Sequence, residues 1–253
     1  MTARFFLDNS REFLEKKTVS KDLNADVFHH LRDVLRVKTD DVVELVADRK
    51  AYLASIQIVT ENNIVFSQLK AIVKDPELPI KMTIVVSPLK SDHLEWLLQK
   101  ATELGVFKII LTDFAYGVVR ASKIEKKLPR YQKILKAAAE QSHRLLVPEI
   151  IYEKNFLKRV VLTSKQAGIV AWEESAKQGE TSKLASMIKA IKINPAIKEL
   201  ISVFGPEGGI SQSEIKELAS AAFVPVGLGP RILRAETAPL YLLSSASLLI
   251  ELS

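Results

Sequence analysis

The sequence predicts an α/β protein in which a parallel β-sheet, covered by helices on both faces, follows a small β-rich domain. Two observations carry this prediction. Residues 82–253 alternate short, wholly apolar strand segments with amphipathic helical segments, which is the pattern of parallel strands buried on both sides. Residues 1–73 instead contain β-branched segments separated by short turn sequences, which is typical of antiparallel hairpins. We therefore expect two domains, joined by a linker at residues 74–81 that carries two prolines.

The N-terminal domain is predicted to be a small barrel with one helix. The helix is read from "NADVFHHLRDVLRV", where apolar residues recur at helical spacing and Asn24 can cap the first turn. The turn sequences "ADRK" and "TENN" separate the longer strands. The predicted strands are "RFFL", "DVVELVA", "AYLASIQIV" and "NIVFSQLKAIV".

The second domain is predicted to alternate strands and helices. "MTIVVS" gives its first buried strand, and the amphipathic helix "SDHLEWLLQKATELG" stops at Gly105. A long basic helix follows later, with Pro129 near its first turn. The last helix, Thr237 to Leu252, is apolar on too many sides for a lone surface helix, so we expect it to contact a second subunit. The other predicted strands are "FKIILT", "GIVAW", "LISVF" and "FVPVGL".

The composition limits the class of protein. The chain of 253 residues is 47% hydrophobic and has no cysteine, which excludes disulfides, thiolate metal sites and a cysteine nucleophile. No apolar run reaches the roughly 18 residues of a membrane-spanning helix. The N-terminus carries charges where a secretory signal needs an apolar stretch. We therefore expect a cytoplasmic protein without a membrane partner.

The positive charge of the chain is concentrated in one segment. Residues 116–144 contain eight Lys or Arg and two Glu, which accounts for the net charge of +6 of the whole chain. This segment is either a solvated helix face or a surface that binds phosphate. Its end, "AAAEQSHR", puts Gln141 and Arg144 on one helix face, and Arg144 with Arg120 could line an RNA path. The alternative is that Arg144 only complements the helix dipole.

The segment "LISVFGPEGGIS" is the first candidate site. A buried strand ends at Phe204, a loop with three glycines follows, and Ser211 can cap the next helix with Glu214 three residues on. In open parallel sheets, ligands bind at loops of this kind outside the carboxyl ends of the strands, and glycine lets a ligand approach the backbone. The alternative is a tight turn before a helix, which needs fewer glycines.

The same layout recurs after the next strand. "FVPVGL" runs into "GPRILRAETA" and then a helix, so two loops are predicted to form two walls of one pocket. Arg231, Arg234 and Glu236 would then face that pocket. The alternative is a set of surface ion pairs at a helix start, where the helix dipole favours Glu236.

Other catalytic and ligand-binding patterns are missing from the sequence. The "GLG" at residues 227–229 lacks the third glycine of a dinucleotide fingerprint, and no Walker A sequence is present. A serine hydrolase would need a Gly-x-Ser-x-Gly elbow. The histidines have no zinc-site spacing, so we expect no metal and assign them core or surface roles. They are His29, His30, His93 and His143.

Four segments together resemble the RsmE family of bacterial methyltransferases: "FGPEGGIS", "LGPRILRAETA", "LEWLLQKATELGV" and "AAAEQSHR". The resemblance covers nearly the whole chain, and the head is similar to the family's PUA-like RNA-binding β-barrel. It implies the SPOUT fold with a deep trefoil knot, a homodimer, and S-adenosylmethionine-dependent methylation of N3 of one uridine in the 16S ribosomal RNA of the small subunit. The chain departs from the family pattern at "KTDD" and "ADRKAYLA", where glycines are expected.

The resemblance also implies roles for particular residues. Arg234 would stabilise the developing uridine anion and Glu236 would accept the N3 proton, with Glu207 as the second candidate base. Bent S-adenosylmethionine would be held by Trp172, Phe204, Gly205, Gly209, Leu228, Gly229, Ile232 and Leu233. Contacts to RNA are assigned to Arg4, Arg32, Arg36, Arg120, Gln141 and Arg144, with Arg32 and Arg36 on one helix face.

Two other functions stay open at this point. One is ribose 2′-O-methylation. The other is a non-enzymatic ribosomal RNA binder or assembly factor, which would not need both loop motifs intact. C5 methylation of pyrimidines is disfavoured, because it usually needs a cysteine nucleophile and the chain has none.

Overall fold

The computed structural model describes residues 2–119, 124–174 and 182–252. Over these residues the chain forms two compact units. The first comprises Met1–Glu77 together with Ala139–Leu146, and the second comprises Leu78–Ala138 together with Val147–Ser253. Each unit has a hydrophobic core of its own.

The first unit is built on a five-stranded, mainly antiparallel sheet. The strands lie in the order β1-β3-β4-β5-β2, in which β1 is parallel to β3 and the other neighbours are antiparallel. Their bounds are β1 Arg4–Phe6, β2 Thr18–Ser20, β3 Val42–Ala47, β4 Lys50–Val59 and β5 Asn63–Ile72. Alternate apolar residues of these strands bury one face of the sheet against Phe13, Phe28 and Leu31. The predicted hairpins are confirmed.

The predicted helix of the first unit ends earlier than its apolar pattern indicates. A short helix, α1 Ser10–Lys16, precedes it. The predicted helix itself consists of α2 Ala25–His29 and a π-helical turn, His30–Val34. Arg36 lies beyond this turn in the left-handed region, with φ 53°. The expectation that Arg32 and Arg36 share a helix face is therefore wrong.

Asn24 stands at the N-cap position of α2, but its side chain does not cap the helix. The side-chain oxygen instead accepts hydrogen bonds from the backbone N–H groups of Asp8 (2.9 Å) and Asn9 (3.4 Å). Asn24 is buried and satisfies the backbone of the loop that leads into α1.

The hairpin between β3 and β4 turns without a glycine. Asp48 and Arg49 occupy its two central positions, both left-handed, with φ 50° and 58°, as a two-residue turn matched to the strand twist requires. Asp40, in "KTDD", is also left-handed, with φ 72°. Aspartate enters this region more readily than most residues. The chain therefore makes left-handed turns at the places where the resemblance predicts glycine.

The second unit contains a six-stranded sheet in which all neighbouring strands are parallel. Its strands are β6 Lys81–Val86, β7 Lys108–Leu111, β8 Glu149–Tyr152, β9 Gln166–Ala171, β10 Glu199–Phe204 and β11 Phe223–Val226. The central strands β6 and β10 are buried along nearly their whole length, which explains their continuous apolar sequence. The predicted parallel sheet is confirmed.

Helices cover both faces of this sheet, as predicted. They are α3 Ser91–Glu103, α4 Leu128–Gln141, α5 Phe156–Arg159, α6 Lys183–Ile193, α7 Gln212–Ser220 and α8 Thr237–Glu251. The core on one face includes Leu97 from α3, Leu135 from α4 and Leu243 from α8. The core on the other face includes Leu157 from α5 and Leu218 from α7.

The strand order brings three loops to one edge of the sheet. From β6 the sheet continues through β7 to β8 on one side, and β9 lies on the other side. β10 then inserts between β6 and β9, and β11 adds outside β9. The carboxyl ends of β10, β9 and β11 are therefore neighbours, which is where a ligand site is expected in a parallel sheet. The trefoil knot stays a prediction.

Candidate active site

A pocket of about 750 Å³ lies at the carboxyl ends of β9, β10 and β11. Its volume is within the range of roughly 300–1,000 Å³ that is usual for sites of small molecules and cofactors. The loops after the three strands contribute residues 171–174, 204–210 and 230–236, and the first turn of α3 contributes His93. The loops after β10 and β11 thus form two walls of one pocket, as their shared layout predicts.

The loop after β10 is fixed where it enters α7. Ser211 Oγ accepts a hydrogen bond from the Glu214 backbone N–H (3.3 Å), and the Glu214 carboxylate accepts one from the Ser211 N–H (2.9 Å). This is the capping box predicted from the sequence. The other Glu214 oxygen accepts from the N–H of Ala115 (2.8 Å), so this buried carboxylate also ties the loop to the segment after β7.

Two glycines of this loop serve different purposes. Gly205 has no room for a side chain, because a Cβ there would lie 2.6 Å from Ile210 Cγ1 and 3.1 Å from the Gly209 carbonyl carbon. Gly209 is left-handed, with φ 80°, and a Cβ there would meet no atom within 4 Å. Gly205 lets the loop fold tightly onto itself. Gly209 adopts a backbone conformation that other residues rarely adopt, and its lack of a side chain leaves open space in the pocket.

The loop after β11 is anchored at both ends. At its start, the Trp172 N–H donates to the Val226 carbonyl (3.0 Å), which joins it to the loop after β9. At its end, the Arg234 carbonyl accepts from the N–H groups of Thr237 and Ala238 (2.9 and 3.0 Å). The segment between these anchors is thereby held against the pocket.

Apolar side chains supply part of the pocket surface. Phe204 is buried at the end of β10, and Leu228 and Leu233 are half-buried. Ile232 lines the pocket although its side chain is 76% exposed. Apolar side chains of this kind are usual in the lining of small-molecule and cofactor sites.

The charged groups of the pocket differ in burial. Arg231, Arg234 and Glu207 are exposed, whereas Glu236, next to the start of α8, is 8% exposed. Glu236 Oε1 lies 2.9 Å from His93 Nδ1. Burial raises the pKa of Glu236, but hydrogen bonds from its own backbone N–H and from His93, with the charges of His93 and Arg234, outweigh burial. The resulting pKa lies below the ordinary value of 4.5, so Glu236 is a carboxylate at neutral pH.

The structure brings the predicted catalytic and cofactor residues together. Arg234, Glu236 and Glu207 all line the pocket, together with seven of the eight cofactor candidates. The eighth, Gly229, lies between the lining residues Leu228 and Pro230 and is left-handed, with φ 93°. The roles of these residues stay predictions.

His93 is the pocket residue that the sequence interpretation missed, since it was assigned a core or surface role. The order of the strands in the folded sheet explains its position. β6 pairs with β10 in register up to Val86↔Phe204, so both strands end at the same edge. Because α3 follows β6, its first turn lies beside the loop after β10.

Two of the predicted RNA-binding arginines are buried, so the expectation that they contact phosphate is corrected. Arg4 pairs with Glu44 (2.7 Å) and donates to the backbone carbonyls of His143 and Arg144. Arg144 is 3% exposed and pairs with Glu77. These guanidinium groups neutralise partly buried carboxylates inside the first unit instead of facing solvent.

The remaining RNA candidates have different surroundings. Arg32 is half-buried and pairs with the neighbouring Asp33 (2.6 Å). Arg36 and Gln141 are exposed. Arg120 lies outside the described residues. Of the RNA candidates that the structure describes, none lines the pocket.

Two further findings concern the described residues as a whole. Within them, no three His, Asp or Glu side chains are grouped so that they could hold a metal ion. No helix in that part of the chain combines the length and the apolar character that crossing a bilayer requires.

Comparison with known proteins defines the class of this fold and site. A family model described as an RNA methyltransferase domain matches residues 76–247. The match includes all six strands of the parallel sheet and the three loops of the pocket. The second unit is therefore an RNA methyltransferase domain.

Similarity over the full length narrows this class. Ribosomal RNA small subunit methyltransferase E of Bacillus subtilis (strain 168) is 36% identical over 255 residues, which cover 98% of this chain and 97% of that protein. A structure of ribosomal RNA small subunit methyltransferase E from Neisseria gonorrhoeae, bound to S-adenosyl methionine, is 28% identical with a TM-score of 0.79 and covers 98% of each chain. A crystal structure of a hypothetical protein is 34% identical with a TM-score of 0.83, covering 98% of this chain and 99% of that one. The chain belongs to the ribosomal RNA small subunit methyltransferase E family, which confirms the resemblance.

Proposed function

We propose that the protein transfers a methyl group from S-adenosylmethionine to N3 of one uridine in the 16S ribosomal RNA of the small subunit. One observation carries the proposal: two glycine-containing loops form a pocket that also holds a buried, ionised carboxylate, Glu236, and an exposed arginine, Arg234. The Neisseria relative, which is bound to S-adenosyl methionine, supports the cofactor. Because the proposed substrate is ribosomal RNA, we expect the protein in the cytoplasm.

The pocket fits S-adenosylmethionine in size and in lining. Its volume of about 750 Å³ is ample for a cofactor of this kind. The open space at Gly209 lets a ligand approach the backbone. When bound, the cofactor supplies a methyl group on a positively charged sulfur. The residues that would hold it are Trp172, Phe204, Gly205, Gly209, Leu228, Gly229, Ile232 and Leu233.

Methylation at N3 requires removal of the N3 proton and stabilisation of the resulting negative charge on the uracil ring. The Arg234 guanidinium is exposed at the pocket and would stabilise this charge on O2 or O4. The Glu236 carboxylate is the first candidate for the proton removal. Glu207 is the second candidate, and its side chain is exposed at the pocket.

We also propose that two copies of the chain associate through α3 and α8. Leu242 and Leu243 on α8 are fully buried, yet Tyr241 and Leu248 on the same helix are 39% and 56% exposed. Trp96 on α3, which packs against α8, is 44% exposed. A second copy would cover this apolar surface. Light scattering after size exclusion should give a dimer for the wild type and a monomer for Leu248→Glu, and a monomeric wild type would contradict the proposal.

For RNA, Arg36 and Gln141 remain the exposed candidates of the first unit, and the half-buried Arg32 precedes Arg36 in the sequence. A phosphate contact weakens as salt displaces it, because counterions are released when it forms. Arg36→Ala should therefore weaken binding to RNA of any sequence and reduce the salt slope by about one ion. An unchanged salt slope would remove Arg36 from the RNA surface.

The experiment that tests the proposed reaction is methyl transfer into small ribosomal subunits from cells that lack this activity. The subunits are incubated with the protein and labelled S-adenosylmethionine, and the digested nucleosides are identified by mass spectrometry. We expect 3-methyluridine. A 2′-O-methylated nucleoside would keep the cofactor site and overturn the reaction. No incorporation, together with no cofactor binding in calorimetry, would instead favour an RNA-binding protein without activity.

A further inference from the structure

His93 lines the pocket beside Glu236 and Arg234. It lies in the first turn of α3, and its Nδ1 is 2.9 Å from Glu236 Oε1. The His93 side chain is 45% exposed, whereas that of Glu236 is 11% exposed. The ring therefore has one nitrogen on a buried carboxylate and enough free surface to meet a ligand in the pocket.

The hydrogen bond to Glu236 fixes where the ring of His93 carries its hydrogen. An ionised carboxylate can only accept a hydrogen bond, so Nδ1 must be the donor. A neutral imidazole with its hydrogen on Nδ1 has a lone pair on Nε2. Over the described part of the chain, the hydrogen bond of this ring is the one through Nδ1, which leaves Nε2 for a ligand.

The two members of the pair differ as proton acceptors. The pKa of Glu236 is lowered, although burial opposes this, so protonating its carboxyl is harder than protonating an ordinary one. An imidazole has an ordinary pKa of about 6.5, close to the pH at which a general base is most effective. A buried carboxylate that holds an imidazole in one tautomer is a known way to prepare such a base. The imidazole is therefore the better acceptor, and the carboxylate is placed to orient it.

We propose that His93 is the catalytic base of the methyl transfer and that Glu236 is a positioning residue that acts through it. The inference deepens the proposed function and rests on it. Nε2 of His93 takes the proton from uridine N3, the N3 electron pair forms the bond to the methyl carbon, and the electron pair of the broken carbon–sulfur bond stays on sulfur. The products are 3-methyluridine, S-adenosylhomocysteine and a protonated His93, which returns its proton to water before the next turnover.

Charged groups lie on every element around His93. Glu236 is hydrogen-bonded to the ring, and Arg231 and Arg234 of the same loop also line the pocket. The other charged groups of the surroundings are Glu207 after β10, Glu173 and Glu174 after β9, and Lys90 and Asp92 at the start of α3. With His93 as the base, kcat rises with pH as the ring loses its proton and then reaches a plateau.

The tautomer of His93 can be measured on the protein without cofactor or RNA. Long-range ¹H–¹⁵N correlation spectra report which ring nitrogen carries the hydrogen, and the chain has only four histidines to assign. Comparison with His93→Gln identifies the signals of His93. We expect hydrogen on Nδ1 in the wild type and a mixture of both tautomers in Glu236→Gln. A carboxylate can only accept a hydrogen bond from Nδ1, whereas the amide of glutamine can accept or donate one.

Methyl transfer into small ribosomal subunits measures the catalytic role. His93→Gln should lower kcat by roughly 10²–10⁴-fold, keep the calorimetric dissociation constant of S-adenosylmethionine, and lose the rise of kcat with pH. Glu236→Gln should lower kcat too, because the ring loses the hydrogen-bond partner that fixes its tautomer. His29→Gln is the matched control, because His29 Nδ1 also contacts a carboxylate, that of Asp33 at 2.6 Å, but does not line the pocket. It should keep the wild-type kcat and pH profile.

The outcomes separate this inference from the proposed function. A wild-type kcat in His93→Gln, or hydrogen on Nε2 in the wild-type spectrum, overturns the role of His93 and leaves the proposed reaction intact. A wild-type protein that forms no 3-methyluridine overturns both. If His93→Gln does not fold, as judged by circular dichroism, the spectra of the wild type and of Glu236→Gln still decide.

Discussion

The buried ion pair between Glu77 and Arg144 predicts a large loss of stability when its charge is removed. Glu77→Gln keeps the shape of the side chain and takes away the negative charge. In the wild type, Glu77 Oε2 accepts from Arg144 Nε (3.2 Å) and Nη2, and Oε1 accepts from the Leu145 backbone N–H (2.7 Å). The side chains of Arg144 and Glu77 are 3% and 10% exposed, so water does not replace the lost partner.

The magnitude follows from this geometry. A glutamine has one oxygen, so its NH₂ group must face either the guanidinium or the Leu145 N–H, and in both cases a donor meets a donor. The buried guanidinium also loses its counter-charge. Breaking a buried pair in this way costs about 3–5 kcal/mol, and we expect the lower end, about 3 kcal/mol, because one hydrogen bond of the glutamine survives. That loss is a large part of the roughly 5–15 kcal/mol that stabilises a typical domain.

Urea denaturation followed by far-ultraviolet circular dichroism measures the loss. Tryptophan fluorescence alone would miss it, because Trp96 and Trp172 both lie in the second unit. The matched control is Glu15→Gln, which removes the 3.3 Å pair with Arg11, whose side chains are 63% and 94% exposed. An exposed pair of this kind contributes at most about 1 kcal/mol. If Glu77→Gln lowers the free energy of unfolding no more than Glu15→Gln does, the reasoning about burial is refuted.

Three further predictions concern the second unit. Ser211→Ala removes the capping box with Glu214 and should lower the free energy of unfolding by about 1 kcal/mol, as measured by tryptophan fluorescence in urea; no change would mean that the cap is redundant. Gly205→Ala places a Cβ 2.6 Å from Ile210 Cγ1, so calorimetry should show S-adenosylmethionine binding at least about tenfold weaker, or about 1.4 kcal/mol, in a protein that still folds; wild-type affinity would argue against the tight loop. Because the folded pKa of Glu236 is lowered, its contribution to stability is complete above its ordinary pKa of 4.5 and is lost as the pH falls through the lower folded value. The difference in free energy of unfolding between the wild type and Glu236→Gln should therefore shrink as the pH falls below 4.5.

The parallel sheet and the two main walls of the pocket were predictable because they leave local marks in the sequence. A wholly apolar strand that stops at Phe204, a run of glycines, and the capping pair Ser211 and Glu214 all lie within a few residues of one another. Each of these features has a local physical cause. The apolar strand is buried on both faces, the glycines allow close approach to the backbone, and the Ser211 and Glu214 pair satisfies the end of a helix. In the folded sheet, the two segments follow β10 and β11, which lie on either side of β9.

Pairings between distant residues were not predictable, because the sequence carries no local sign of them. Arg4 pairs with Glu44, 40 positions away, and its guanidinium also reaches a backbone carbonyl 139 positions away. An arginine looks the same in sequence whether it faces RNA phosphate or a buried carboxylate. His93 and Glu236 are 143 positions apart, and only the order of the strands brings them together.

The first unit is built from two separate segments of the chain, and this affects how it folds during synthesis. This unit needs residues 139–146, which supply Arg144 as the partner of Glu77 and the carbonyl groups that accept from Arg4. A ribosome that has finished residue 77 has therefore not yet made all of the first unit. At a usual synthesis rate of about 5–20 residues per second, the missing piece arrives roughly 3–14 s later, after the first strands of the parallel sheet have already been made. During that interval Arg4 and Glu77 lack the partners that residues 139–146 supply, and their charged groups stay in water. A protein fragment that ends at residue 77 would never obtain these partners.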